Sequence, residues 1–243
     1  MNPPFDQYSN GACQLLFAAE RLFGQHGVEG VTIRELLKAA GQANKSAVHH
    51  YFGSKEGLLE AARDMRVPQL EKARTLWIER LPQPGPDQVA AYLAALFMPV
   101  LEILDDRELQ SFSQFNLRLL HADGSDQSIM RLAAASPMTQ RIVAGLHACS
   151  PDRTEAQFKA RLRLAVGVLL GGVAEWQRLS ESTDGAPYPS EAVFWTDMLV
   201  AVAGVLSAPA AREALDITAN LQRPKLQRKP PAKTARRKPT PPL

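Results

Sequence analysis

Only two cysteines, Cys13 and Cys149, occur in 243 residues, far apart in the chain, so no disulfide framework is expected. No apolar leader segment follows Met1-Asn2-Pro3-Pro4-Phe5, which points to a reducing cytoplasm rather than export. Long hydrophobic runs are missing as well. The best candidates are cut by Pro99 and Glu102, or by Gly171 and Gly172 with nearby charges, short of the roughly 18 apolar residues a membrane span needs. Catalytic signatures are absent: there is no Gly-x-Ser-x-Gly elbow, no Gly-x-x-x-x-Gly-Lys, no Gly-x-Gly-x-x-Gly and no His-Glu-x-x-His, so neither an enzyme nor a cofactor is expected. His147 and Cys149 lie two residues apart, but no Cys-x-x-Cys accompanies them, and no metal site is expected.

What is present is enough apolar material, 45% of residues, for a substantial core in a small head fused to a larger body. The formal net charge of +3 is misleading, because residues 217–243 hold eight Lys or Arg and no acid, leaving 20 basic against 25 acidic in residues 1–216. Six prolines also fall between Gln222 and Leu243. Such a tail cannot bury enough apolar surface to offset the entropy of ordering, and it reads as a disordered extension, either solubilising or an arm for non-specific phosphate contacts.

All periodic signals are helical. Ala12 to His26 carries Leu15, Leu16, Ala19, Leu22 and Phe23 as one stripe, expected to close a small core with Ile33, Leu36, Leu37, Val48 and Phe52. Thr32 with Glu35 three residues on reads as a capping box, with Val31 and Leu36 as its staple, and Gly41 supplies a positive φ to end that helix. Asn44 is the expected N-cap of a second short helix, Lys45 to Tyr51, with Ala47 and Val48 facing inward and Lys45, Ser46, His49, His50 and Tyr51 facing outward. Ser54 then caps a further helix with Lys55 in its first turn, which makes an anion site. Two short helices joined through a glycine turn form a helix-turn-helix, whose second member fits the DNA major groove.

Thr32, Gly41, Ser46-Ala47-Val48, Tyr51-Phe52 and Gly53-Ser54-Lys55-Glu56-Gly57-Leu58 resemble the helix-turn-helix of the TetR family of bacterial transcriptional regulators, over about residues 9 to 65. The resemblance departs from the family in a turn one residue longer and in His49, which stands where an aromatic is usual. It implies an all-α protein with a three-helix DNA-binding head, a larger ligand-binding and dimerisation body, and repression relieved by a small molecule. It also implies that Thr32, Lys45, His49, Tyr51 and Lys55 touch phosphates while Ser46, Ala47 and His50 lie near base edges; Asn44, in the turn before them, is expected to contact DNA as well. On this reading residues 1–8 are a flexible N-terminus, 9–58 the head, 59–216 the body and 217–243 the tail.

In the body, helices are expected over Gln69 to Leu81, Asp87 to Leu104, Arg107 to Ala122, a weaker stretch from Gln127 to Cys149, Asp152 to Ser180, and Ser190 to Ser207. Pro68 should kink or break the connector that follows the head. The last two helices are the dimerisation candidates, through Leu164, Val168, Gly172, Leu199, Val202 and Leu206, and a two-fold dimer would need a palindromic operator. A pocket for a mostly apolar effector is expected among Trp77, Tyr92, Phe112, Asn116 and Trp176, although aromatics at helical spacing also serve as core. The rival reading is an all-α small-molecule-binding protein whose head mediates protein interaction.

Overall fold

The computed structural model describes residues 7–122, 136–181 and 187–208, and these contain helices but no strand. The predicted loop at Asp123-Gly124-Ser125, most of the one at Asp184 to Pro187, and the basic tail lie outside them. The helices are α1 (Asn10–His26), α2 (Ile33–Ala39), α3 (Ala47–Phe52), α4 (Lys55–Asp64), α5 (Val67–Ile78), α6 (Val89–Ile103), α7 (Asp106–Ala122), α8 (Pro137–Ala148), α9 (Glu155–Ser180) and α10 (Glu191–Ser207). No helix among the described residues is long and apolar enough to cross a membrane.

Side-chain caps set most of the starts. Ser9, Ser54, Ser136 and Ser190 each accept a backbone N–H of the first turn of α1, α4, α8 and α10, while Thr32–Glu35 and Thr154–Gln157 form complete capping boxes on α2 and α9. At α7 the Asp105 carboxylate accepts from the N–H groups of Arg107 and Glu108, at 3.0 and 2.9 Å. Pro68 breaks the connector rather than bending it: α4 ends at Asp64, and α5 restarts at Val67 with the proline in its first turn, where no donor is missed.

Two apolar clusters result. The head cluster joins Leu15, Leu16, Ala19 and Phe23 of α1 to Leu36, Leu37, Ala47, Val48, Leu58, Ala62 and Met65, and takes in Phe115 and Leu119 from α7. The body cluster joins Leu70, Leu93, Phe97, Leu109, Ile142, Leu146, Leu162, Leu169, Trp195 and Val202, with neighbours from α5 to α10. Ile33 does not enter the head core, as its spacing suggested, but stays 42% exposed. It is the first residue after the cap, and Val31 on the other side of Thr32 is the residue that is buried.

The apolar side chains of α7 are divided between the clusters, Leu109 going to the body and Phe115 and Leu119 to the head. The α1–α7 crossing is close. A Cβ on Gly24 would stand 2.8 Å from the backbone nitrogen of Phe115, and Arg118 of α7 donates to the carbonyls of Gly24 and Gln25, at 3.4 and 2.9 Å. A buried ion cluster reinforces the junction. Arg66, just before α5, meets both carboxylate oxygens of Glu20 on α1 at 2.7 and 2.9 Å and Glu108 of α7 at 3.5 Å. Burial raises the pKa of the Glu20 carboxyl, against the opposing pull of the Arg66 hydrogen bonds and charge.

Candidate nucleic-acid interface

The turn between α2 and α3 is fixed by hydrogen bonds. Gly41, at φ 64°, donates to the carbonyl of Lys38 at 3.2 Å and Gln42 to that of Leu37 at 2.9 Å, the pair of bonds that closes a helix C-terminus through a left-handed residue. Gln42 Nε2 then donates to Gln14 Oε1 on α1 at 2.8 Å, tying the turn to the head's long helix. Asn44 does not cap the recognition helix directly. Its Oδ1 accepts from the N–H of Ser46 at 2.9 Å and its carbonyl from Ala47 at 3.1 Å, so Lys45 and Ser46 form a turn and α3 begins at Ala47, two residues later than the spacing suggests.

The outward face of α3 and its turn is as polar as predicted: Asn44, Lys45, Ser46, His49, His50 and Tyr51 are exposed. Ala47 is not among them. At 2% exposure it packs into the head core, so its methyl cannot reach a base edge, and its assignment to DNA contact is corrected. Val48 beside it is equally buried, and this inward pair fixes the face that α3 turns outward.

Two of the donors are held by the head itself. His49 Nδ1 lies 2.5 Å from the carbonyl of Gly53; the tautomer that bonds there carries the proton on Nδ1 and leaves Nε2 pointing away from that contact. The Tyr51 hydroxyl reaches back to α1, 3.0 Å from where a Cβ of Gly11 would lie, and its ring meets His50 edge-on at 4.9 Å. Both side chains are thereby oriented before any partner arrives.

Carboxylates occupy the helix N-termini where phosphates are expected. Glu35 Oε2 accepts from the N–H and hydroxyl of Thr32, at 2.8 and 2.7 Å, which holds its carboxyl below the usual range, through the backbone bond first and the hydroxyl second. Thr32 therefore acts as a cap with both donors engaged, and contacts phosphate only if Glu35 lets go. At α4, Glu56 is held low by its own backbone N–H and by the Ser54 hydroxyl, beside the half-buried Lys55. The helix-turn-helix pattern singles out neither carboxylate as a competitor, although an acid in the first turn is the usual signal for one.

The α3–α4 junction itself depends on a missing side chain. A Cβ on Gly57 would fall 2.0 Å from the carbonyl oxygen of Phe52, so only glycine lets α4 start this close beneath the recognition helix.

Similarity to known proteins agrees with this geometry. The family model described as "Bacterial regulatory proteins, tetR family" matches residues 15–62, and "Tetracyclin repressor-like, C-terminal domain" matches residues 94–204. The chain belongs to the TetR family. It is a DNA-binding transcriptional regulator, not an enzyme, with a helix-turn-helix head and a tetracyclin repressor-like C-terminal domain. Among relatives, the HTH-type transcriptional repressor AcnR of Corynebacterium glutamicum is 41% identical over 56 residues, 23% of this chain. That match spans only 29% of the relative's own length. The HTH-type transcriptional dual regulator CecR of Shigella flexneri is 26% identical over 181 residues, covering 70% of this chain and 76% of the relative. The solved TetR family regulator PfmR from Thermus thermophilus shares 18% identity, with a TM-score of 0.43 over 79% of this chain and 96% of that one.

The C-terminal body holds a cavity of about 110 Å³ among α4 to α9, walled by Leu70, Phe97, Val100, Phe112, Val166 and Leu169, with Arg74, Asn116, Ser136 and Thr139 also on its surface. Phe112 and Asn116 were expected there. Trp77, Tyr92 and Trp176 are not on it: Trp77 Nε1 donates to Glu102 at 3.1 Å, the Tyr92 hydroxyl donates to the carbonyl of Pro82 at 2.9 Å, and the Trp176 ring packs on Phe194 at 5.3 Å. Tyr92 is core, and Trp77 and Trp176 pack half-buried against the body cluster, the alternative their helical spacing always allowed. Arg74 was missed because a charged residue in a helix reads as solvated surface unless its neighbours are known. A second, open crevice of about 610 Å³ separates the head from the start of α7, lined by Gln14, Glu20, Gly41, Arg66, Arg107 and Glu108 among others. His147 stacks on Phe158 at 4.6 Å, and no group of three metal-binding side chains occurs among the described residues.

The dimerisation set needs a larger correction. Gly172, Leu199, Val202 and Leu206 are buried in the monomer, where α9 and α10 pack on one another and on α6 and α7. Hydrophobicity at helical spacing singled out the face turned to the monomer's own core. Leu164 and Val168 stay 61% and 44% exposed, as do Val193 and Val200 of α10 at 43% and 60%, and a Cβ added at Gly171 or Gly204 would meet nothing within 4 Å.

Proposed function

We propose that the chain is a homodimeric repressor that reads a palindromic operator through α3 and releases it when a small molecule fills the cavity between α5 and α9. The exposed donor row of Lys45, Ser46, His49, His50 and Tyr51 over a buried Ala47–Val48 pair carries this reading, because a face built for protein packing would present apolar side chains. Repression is favoured over activation by the head's likeness to the repressor AcnR, and CecR, a dual regulator, resembles more of the chain.

Leu164, Val168 and Gly171 on α9 and Val193, Val200 and Gly204 on α10 form an apolar, small-residue surface suited to a two-fold four-helix contact. Such a dimer sets two recognition helices about 34 Å apart, on successive turns of one face of DNA. Release requires a ligand that binds the DNA-incompetent arrangement better. The junction supports such coupling, since Arg66 touches the cavity, Glu20 of the head and Glu108 of α7 at once. Genomic fragments retained by the purified protein, followed by footprinting, test the head. Unchanged operator binding after Tyr51→Ala and Lys55→Ala together would reject the assignment.

A further inference from the structure

We propose that the effector is an apolar acid, a short hydrocarbon chain or single ring bearing one carboxylate, with the carboxylate held by Arg74. This deepens the reading of the cavity as the effector site and rests on it.

Arg74 lies on α5, 9% exposed, and its hydrogen-bond partners among the described residues are neutral. Its Nε and Nη2 donate to the carbonyl of Leu96 at 3.3 and 2.9 Å, and Nη1 donates to Thr139 Oγ1 at 2.8 Å. A guanidinium carries five N–H donors, so one remains on each terminal nitrogen, free for charge-assisted bonds to an anion, which are about twice as strong as neutral ones. Glu71, a turn earlier on α5, is the nearest acid to bear on it, but its carboxylate is taken up by the Ser136 hydroxyl and by the N–H of Met138 at 3.1 and 3.3 Å, at the start of α8. Burial without a contacting anion pulls the Arg74 pKa down from its ordinary value to about 10, Glu71 opposing from a distance.

The rest of the wall agrees. Three arginines, Arg63, Arg66 and Arg74, line the cavity together with Ser136 and Thr139, and no aspartate or glutamate among the described residues does. Arg63 and Arg66 already contact Glu60 and Glu20, at 3.0 and 2.7 Å, which leaves Arg74 as the cavity cation that no described carboxylate meets. Ser136 and Thr139 hydroxyls lie 2.5 Å apart beside it, giving one polar end, and Leu70, Phe97, Val100, Phe112, Val166 and Leu169 supply an apolar remainder. A cation would be repelled. A neutral molecule would leave the guanidinium as it stands, so only an anion gains from the charge already buried there.

The test is calorimetric titration of the full chain with hexanoate, octanoate and benzoate, against octanamide and octan-1-ol as neutral matches, on the natural protein and on Arg74→Met, Arg74→Lys and Val166→Phe. The expected result is that at least one carboxylate binds at least tenfold more tightly than the neutral compounds, that Arg74→Met brings the carboxylate to within about twofold of its neutral match, and that Val166→Phe blocks both. Equal binding of octanoate and octanamide, both blocked by Val166→Phe, would overturn the acid and keep the cavity. Carboxylate binding indifferent to Val166→Phe and to Arg74→Met would overturn the cavity as well, and no carboxylate binding would overturn the acid. If Arg74→Met fails to fold, the comparison of carboxylate with amide on the natural protein and on Arg74→Lys decides alone.

Discussion

Replacing Gly57 by Ala in an exposed helix start would ordinarily help, since alanine is favoured over glycine by about 1 kcal/mol in helices. Here the new Cβ falls 2.0 Å from the carbonyl oxygen of Phe52, roughly 1.2 Å inside an ordinary carbon–oxygen contact. Both atoms belong to backbone-fixed positions, so relief requires α4 to move away from the end of α3 by about that distance. Overpacking typically costs about 1–3 kcal/mol, and with backbone-fixed atoms on both sides the upper half of that range, roughly 2–3 kcal/mol, applies; after the propensity gain of about 1 kcal/mol, a net loss of roughly 1–2 kcal/mol and a Tm lower by about 2–8 °C are expected for a domain of this size. Because the shift falls on the junction carrying Tyr51, Gly53 and Lys55, operator affinity at a temperature where the variant is fully folded should drop by roughly tenfold, or about 1.4 kcal/mol. Differential scanning calorimetry and fluorescence anisotropy on the selected operator measure the two. A variant with an unchanged or higher Tm and unchanged affinity would refute the argument that the close approach of Gly57 to Phe52 positions the recognition helix.

Other perturbations separate the roles of individual residues. Glu56→Gln removes a carboxylate that competes for the α4 N-terminus and should tighten binding to all DNA sequences alike, by several-fold at low salt, with a steeper salt dependence in titrations. His50→Ala should instead alter the ranking of operator variants in a competition assay, since it bears on base edges rather than phosphates. Leu164→Asp with Val200→Asp should yield folded monomers by sedimentation with weakened operator binding, whereas Leu206→Ala, buried at 1% exposure, should cost about 2–5 kcal/mol in chemical denaturation. Gly24→Ala should lower Tm and blunt the change in operator affinity on effector addition, because its Cβ would sit 2.8 Å from the Phe115 backbone nitrogen.

The caps and turns were legible because each depends on residues three or four apart: Thr32 with Glu35, Gly41 after α2, Ser54 before α4. Local chemistry also gave the polar face of α3, although its start slipped by two residues where the Asn44 side chain bonded to Ser46 instead of to a helix. What could not be read was which of two apolar faces a helix turns to its own monomer. α10 carries Leu199, Val202 and Leu206 on one side and Val193 and Val200 on another, and periodicity weights both alike. The cavity was half legible for the same reason, since Trp77, Tyr92 and Trp176 are as apolar as the true wall and differ from it only in where α5, α6 and α9 happen to cross. Arg74 illustrates the opposite failure: its importance comes from the carboxylate that is not beside it, and Glu71 three residues away in sequence suggests an ion pair until its carboxylate is found on α8.

The two clusters share α7, and that sharing constrains how a ligand can reach DNA. Phe112 and Asn116 line the cavity while Phe115 and Leu119, on the adjacent turn face, fill the head core. Interiors are close-packed, so α7 cannot translate or rotate for an occupant of the 110 Å³ cavity without carrying these head contacts with it. The crossing at Gly24 transmits the movement stiffly, because a Cβ there would already stand 2.8 Å from the backbone nitrogen of Phe115, and Arg66 ties Glu20 of α1 to Glu108 of α7 beside it. A ligand that pushes α7 toward α1 therefore reorients α3 through α1 and the Gln14–Gln42 bond, and the expected signature is reciprocity: operator DNA must weaken effector binding by the same factor by which effector weakens operator binding. Equal effector affinity with and without saturating operator, measured by calorimetry, would exclude α7 as a conduit whatever its packing suggests.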